Sequence, residues 1–348
     1  MKILELNFSG EWRGGERQTL LNMQGLQKIN QQVFLLCRKN SSLHLKAKQE
    51  NFTVYGLKNI IGVIGFLIIR ARHFDILHAQ TAHILTYCVV TKPFHRKKIV
   101  YTRRVNFQQS GFFTKLKYRF TNKLVTISTA AQQTLIRFTQ RKDVMKISDI
   151  AVKETEWENL TEEIAKLNPG NKKIVGIVAA LTYEKQPFVC LSAMKLLHQK
   201  NNNFICLHFG SGSLFKEMQE KILANGMEKY YILVGFQQNV LSWFKHFDVF
   251  LMTSLNEGLG SSILDAYLNK VPVVSGTSGG LADIVTAEKA MVCTSGAPEE
   301  YCEKTETLLS SPELAGGLTA KAYNFVVKNH SMAYITKQYD QLFKELIQ

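Results

Sequence analysis

The stretch VFLMTSLNEGLGSSILDAYLNKVPVVSGTSGG, Val249 to Gly280, holds a strand, a glycine-rich loop, a helix and a second strand in direct succession. The first apolar run ends near Ser254, the helix covers roughly Ile263 to Leu268, and the Pro-led VPVVSG forms the next strand before a Gly-Gly turn. A strand–helix–strand crossover of this kind is right-handed and leaves its two strands parallel in one sheet. Two acids, Glu257 and Asp265, stand on either side of the helix start, where the helix dipole attracts anions.

The same alternation extends outward from this unit. The second half reads IVGIVAAL, FICLHFG, YYILVGF, VFLMTS, VPVVSG and AMVCTS as strands; the first half reads KILELNF, QVFLLC, FTVYGL, FDILHA, KKIVYT, KLVTIS and VMKISDIAV. Segments between them, such as Glu16 to Lys28, Thr129 to Phe138, Pro187 to Gln199 and Ser213 to Ala224, are long enough for helices. The pattern predicts an α/β chain of two Rossmann-like domains with mainly parallel sheets. LNPGNKK, Leu167 to Lys173, combines Pro, Gly and Asn before a fresh strand and marks the linker. The expected domains are therefore 1–166 and 172–328, followed by an amphipathic helix over 331–348 that packs back on the first domain. Open parallel sheets bind ligands at the carboxyl ends of their strands, so two such domains predict a cleft between them.

A chain of 348 residues, 45% hydrophobic and 20% charged, has enough apolar surface for two cores. MKILELNF lacks the charged, then apolar, then small-residue order of a secretory signal and predicts a first strand instead. IIGVIGFLII, Ile60 to Ile69, is about half the length a bilayer-spanning helix needs. It predicts a buried helix, with a membrane-surface helix as the alternative. The six cysteines show no CxxC pair or metal-ligand spacing, which argues for reduced core thiols in a cytoplasmic protein.

Charge is distributed unevenly. Met1 to Ile150 carries 25 Lys and Arg against 7 Asp and Glu, a net of +18, whereas the rest carries 18 against 21, a net of −3. A half this basic calls for an anionic partner: nucleic acid, acidic lipid or a phosphorylated substrate. No zinc finger, helix-turn-helix or aromatic-basic interleaving of an RNA module accompanies it, so nucleic acid is not expected.

Four loops carry phosphate-binding character. Gly14 and Gly15 follow the first strand and open a helix, although they do not form a GxGxxG dinucleotide fingerprint. Lys185 lies in a polar loop between a strand and a helix, where it could neutralise a diphosphate; a solvated loop lysine is the alternative. Gly210 and Gly212 form a third glycine turn. In the fourth, EGLGSS, the amides of Gly258, Leu259, Gly260 and Ser261 surround a helix N-terminus beside Glu257.

On these residues the chain resembles glycosyltransferase family 4, the retaining sugar-nucleotide transferases of the GT-B fold. RGGERQ looks like that family's GGxER start, GIVAALTYEKQ like its second-domain opening, and Glu257 to Gly280 like its signature of two acids, a PVV strand and a GG turn. The resemblance implies two Rossmann-like domains facing across a cleft and sugar transfer from a nucleotide sugar with retention of configuration. It implies no cofactor and no metal, in keeping with the lack of a DxD-like acid pair. Glu257 would contact the donor sugar, and Asp265, in place of the usual Glu, the ribose hydroxyls. Lys185 and the amides of Gly258 to Ser261 would hold the diphosphate, Gly15 and Gly210 would line the donor, and Phe236 and Val240 would border the base. His78, Arg103, Arg104 and Gly14 would serve acceptor or phosphate. Where the family often reads HxH this chain has His78 and Gln80, leaving His83 to supply a catalytic imidazole, or to be structural. The acceptor implied is a glycolipid or polysaccharide of the cell envelope, reached at an anionic membrane surface from the cytoplasmic side. Alternatives are another GT-B activity, such as a sugar-nucleotide epimerase, or a non-catalytic nucleotide-sugar- or anion-binding protein.

Overall fold

In the computed structural model, which describes residues 1–153 and 159–348, the chain divides into two compact units. The first comprises Met1–Ile150 and His330–Gln348, the second Ala151–Asn329. The first unit ends at Ile150, ahead of the boundary at 166 expected from the Pro-Gly linker. The reason is a side-chain clamp: Gln18 Nε2 donates to the Ile150 carbonyl at 2.7 Å, and the Ile150 amide donates to Gln18 Oε1 at 2.8 Å.

The first unit holds a seven-stranded sheet of β1 (Lys2–Asn7), β2 (Gln32–Arg38), β3 (Thr53–Leu57), β4 (Ile76–Ala79), β5 (Lys98–Arg103), β6 (Lys123–Thr126) and β7 (Met145–Lys146). Their order is β3-β2-β1-β4-β5-β6-β7, and every neighbouring pair is parallel. Leu4, Leu6, Leu36, Leu77 and Ile99 are sealed in its core, as near-continuous apolar runs should be when helices cover both faces of a sheet. The C-terminal helix Met332–Ile347 returns to this unit and packs on the helix Gly14–Lys28. Its Ile335, Tyr339, Leu342 and Phe343 recur at helical spacing and are buried, worth about 1.5–3 kcal/mol each by area. Ser331 caps its start by accepting from the Tyr334 amide.

The second unit repeats the design with β8 (Lys173–Val178), β9 (Phe204–Phe209), β10 (Tyr231–Gly235), β11 (Val249–Met252), β12 (Val273–Ser275) and β13 (Met291–Val292). The order is β10-β9-β8-β11-β12-β13, again parallel throughout. Each of the thirteen strands among the described residues coincides with a run named from sequence, β2, β5 and β8 extending one residue beyond theirs, and the helix expected from Ile263 begins slightly earlier, at Ser261. Its core joins Val175, Met194, Phe204, Leu251 and Val274. All six cysteines are free and buried, and burial pushes the Cys190 thiol up to about 12, so it stays protonated at neutral pH.

The apolar run Ile60–Arg70 is a helix but not a buried one. Only Val63 and Leu67 are sealed, while Ile61 and Ile69 face solvent. Among the described residues no helix is long and apolar enough to cross a membrane.

Candidate functional site

The functional side chains of the second unit sit where the parallel strands end. The loop after β8 contains the short turn Tyr183–Lys185, and the loop after β11 runs from Thr253 to Gly260. Backbone and side chains tie the two loops together. The Leu255 amide donates to the Glu184 carbonyl at 2.9 Å, and Thr253 Oγ1 donates to the carbonyls of Lys185 and Gln186 at 3.0 and 3.1 Å. That lacing brings Lys185 Nζ to 2.6 Å from Glu257 Oε1. Ser254 Oγ donates to the same oxygen at 2.8 Å, which orients the carboxylate. Both charged side chains keep some access to solvent, 22% for Lys185 and 11% for Glu257. The pair is therefore neither buried out of reach nor free to wander.

Beyond Glu257 the chain turns into the helix Ser261–Leu268. Gly260 takes φ +90°, which disfavours any side chain, and occupies the helix N-cap. Gly280 packs against the same loop so closely that a Cβ there would lie 1.9 Å from the Gly258 carbonyl oxygen. Its amide donates to the Glu257 carbonyl at 2.8 Å, so the Gly-Gly turn fixes the loop from behind. The amides of Gly258, Leu259 and Gly260 donate to no group among the described residues, and they precede the positive end of the helix dipole. Unpaired donors beside a lysine make an anion seat. Asp265 lies one turn into this helix and is 5% exposed.

The other sequence-named residues of this unit are at neighbouring strand ends. Gly210 follows β9, and its amide donates to the Gly235 carbonyl at 2.9 Å, joining the β9 and β10 loops. Phe236, just past β10, is 56% exposed and Val240 is half-buried. Thr253, Ser254 and Gly280 were not among the sequence candidates. The signal for the first two is a Thr-Ser pair at a strand end immediately before the acidic loop.

The first unit arranges its polar residues differently. Glu5 and His78 are register partners on β1 and β4. His78, expected to contact acceptor or phosphate, is instead sealed: its Nδ1 lies 2.8 Å from Glu5 Oε1 and its Nε2 2.8 Å from Thr102 Oγ1. Glu5 also accepts from Asn22 Nδ2 and Gln80 Nε2, each at 2.7 Å. Thr102 Oγ1 is 3.0 Å from the Tyr339 hydroxyl of the C-terminal helix, and burial raises that phenol to about 12. Gln80 has a structural use for its amide: the Nε2 end serves Glu5, and Oε1 accepts from Arg104 Nη2 at 3.1 Å.

Arg104 is further paired with Asp149 through Nη1 and lies beside Gly15, where a Cβ would be 3.7 Å from Arg104 Cδ. Gly14 and Gly15 begin their helix with Arg13 as N-cap, and the Arg13 amide donates to Glu16 Oε2 at 3.0 Å. Of the four residues assigned to acceptor or phosphate, Gly14 and Arg104 thus remain at the loop edge with Gly15. Arg103 does not: it is fully buried, donates through Nε to the Val105 carbonyl at 3.0 Å and through Nη2 to that of Phe107, and holds the loop after β5. His83 is exposed on the first turn of the helix Ala82–Val90, outside the buried cluster.

Residues 158–325 match the family model described as glycosyl transferases group 1. Among curated proteins, the 2-deoxystreptamine N-acetyl-D-glucosaminyltransferase of Niallia circulans is 27% identical over 150 residues, covering 42% of this chain and 39% of that protein. The Vi polysaccharide biosynthesis protein VipC/TviE of Salmonella typhi is 27% identical over 129 residues, 36% of this chain and 21% of that protein. The chain thus spans less than half the length of these curated relatives. The crystal structure of Anabaena HepE in complex with UDP and glucose has a TM-score of 0.88 to this chain at 18% identity, over 99% of this chain and 100% of that one. The fold is GT-B. The stretch that matches the family model, residues 158–325, contains Lys185, Glu257, Asp265 and Gly280.

Proposed function

We propose that the chain is a glycosyltransferase that moves a sugar from a nucleotide sugar to a glycan or lipid-linked acceptor with retention of configuration. The observation that carries this reading is the Lys185–Glu257 pair, held at 2.6 Å beside three unpaired amides at a helix N-terminus. In this reading Lys185 and the amides of Gly258 to Gly260 take the diphosphate, whose negative charge grows as the bond to the sugar breaks. Glu257 is oriented by Ser254 and positions the sugar while positive character develops at its reacting carbon. Asp265 binds the ribose diol, Gly210 lines the donor, and Phe236 offers an exposed ring for the base. The sugar–phosphate bond breaks, the acceptor oxygen bonds to the same face of that carbon, and the departing phosphate oxygen takes the acceptor's proton. Positive charge comes from the chain itself, so the reaction is proposed to need no metal or cofactor.

The donor nucleotide is proposed to be UDP-linked, in line with the UDP held by HepE. The acceptor is proposed to be a cell-envelope polysaccharide or glycolipid, by likeness to the Vi polysaccharide protein. The basic first unit supports an acceptor at the cytoplasmic face of an anionic membrane. A thermal-shift screen of nucleotide sugars tests the reading: one UDP sugar should raise the melting midpoint of the whole chain. If no nucleotide sugar stabilises it at millimolar concentration, the donor assignment is wrong.

A further inference from the structure

The first unit contains a stretch whose exposed chemistry the donor site does not use. From Lys58 to Lys123 the sequence has 13 Lys and Arg, and Asp75 is its only acid. Of the 21 large hydrophobic residues exposed among the described residues, 11 lie in this stretch. Eight of the 11 are presented by four helices, Ile60–Arg70, Ala82–Val90, Lys92–His95 and Phe112–Arg119, which pack on one another as a layer; Val105, Phe107 and Phe120 lie in the adjoining loops. Two lysines pin the layer together. Lys117 Nζ donates to the Ala82 carbonyl and Thr86 Oγ1, each at 3.2 Å, and Lys92 Nζ donates to the Phe120 carbonyl at 2.7 Å.

The exposures are large. Phe112 is 74% exposed, Phe113 83% and Ile61 80%, and Ile69, Val90 and Phe94 are each more than half exposed. Side chains of this size usually bury 1.5–3 kcal/mol of transfer free energy, about tenfold or more in partition per residue, when an apolar medium is available. Concentration of apolar surface in one layer of a chain marks a contact surface. The accompanying charge names its partner. A surface that joins aliphatic and aromatic side chains to cations, with almost no acid, complements a bilayer whose headgroups are anionic and whose interior is apolar. A polynucleotide would match the cations and could stack on phenylalanines, but it gives isoleucine and valine no partner.

We propose that this helical layer docks on an anionic bilayer, with Phe112, Phe113 and Ile61 entering the boundary between headgroups and acyl chains while its exposed cations, among them Lys58, Arg70, Arg96, Lys115 and Arg119, bind phosphate. The proposal rests on the reading above for its purpose, which is to bring the enzyme to a membrane-borne acceptor. Its physical basis is independent of the donor site.

The test is flotation of the full chain with vesicles of phosphatidylcholine alone or mixed with phosphatidylglycerol, using wild type and a double variant, Phe112→Ser with Phe113→Ser. Wild type should float with the mixed vesicles and not with phosphatidylcholine alone. The double variant should bind the mixed vesicles about tenfold more weakly or less still, with an unchanged melting midpoint because both rings are already in solvent. A second variant, Ile61→Ser, should weaken binding in the same direction. No flotation of wild type at low salt would overturn the proposal. So would equal binding by wild type and the double variant, or binding to a polynucleotide that the serine substitutions leave unchanged and that displaces the vesicles. UDP-sugar thermal shift, run on the same preparations, separates the two readings. Vesicle binding without nucleotide stabilisation would count against the transferase alone, and the reverse against the docking surface alone.

Discussion

The two units put polar residues at the carboxyl ends of similar parallel sheets and treat them in opposite ways. In the second unit Lys185 and Glu257 meet at 2.6 Å while both keep some solvent access, and unpaired amides of the next loop stand beside them. In the first unit Glu5, His78, Gln80 and Thr102 are sealed, each bonded to another member of the cluster. One edge keeps donors available for a ligand; the other spends them on the chain itself. The difference teaches that a polar residue at a strand end is a site candidate only when its partners leave it a free direction.

Glu257→Gln should have the largest effect. Loss of the carboxylate is expected to lower transfer by about two to three orders of magnitude, the range seen when a preorganised electrostatic group is removed from an active site. The fold should persist, because the pair is partly exposed. Lys185, released from its acid partner, should bind UDP at least as well as in wild type. A steady-state rate within a few-fold of wild type would remove Glu257 from the reacting centre.

Glu5→Ala tests the sealed edge. It withdraws the acceptor of three donors, Asn22, His78 and Gln80, and leaves them buried. A loss of about 3 kcal/mol or more is expected, because each buried donor left without an acceptor costs about 1–3 kcal/mol, measured by urea unfolding. UDP affinity of the folded fraction should not change. A loss below about 1 kcal/mol, the net worth of an ordinary hydrogen bond, would show that the cluster is not structural.

The second unit has its own sealed histidine, and it makes a pH prediction. Burial lowers His208 from 6.5 to about 4, with Nδ1 2.9 Å from the Tyr231 hydroxyl. Between those two values the unfolded chain binds a proton that the folded chain refuses. Stability from this group is therefore complete above about pH 6.5 and declines as pH falls toward 4, by about 3 kcal/mol in all. His208→Gln should flatten the stability profile across that window relative to wild type. Parallel profiles for the two proteins would mean that His208 is protonated in the native state.

Asp265→Ala should have the smallest effect, a decrease in UDP affinity of about tenfold, equal to one lost charge-assisted hydrogen bond. Its turnover of bound donor should change less than its affinity. If calorimetry gives one affinity for both proteins, Asp265 does not hold the ribose.

Much of this was legible in the sequence. The strands were, because runs such as IVGIVAAL and FICLHFG are rich in apolar and β-branched residues and separated by helix-length segments. So were Lys185, Glu257 and the glycine loop, since a loop at a strand end and the following helix start are local features. The sealed cluster was not. Glu5 in KILELNF and His78 in FDILHA meet only through the parallel register of β1 with β4, and no local pattern encodes that pairing. Arg103 and Arg104 are adjacent in sequence but alternate across a strand end, so one is consumed by the loop after β5 while the other reaches Gln80 and Asp149. The exposure of Ile61 was hidden for a related reason: hydropathy reports what a helix can bury, not whether a neighbour is there to cover it.

The most direct test of the donor site is UDP binding by isothermal titration calorimetry to wild type and Lys185→Ala. Wild type should bind, and the variant should bind at least about tenfold more weakly, because one charge-assisted contact to the diphosphate is worth about 1.5–3 kcal/mol. Equal affinities, or no binding by wild type, would contradict the placement of the diphosphate between Lys185 and the loop Gly258–Gly260.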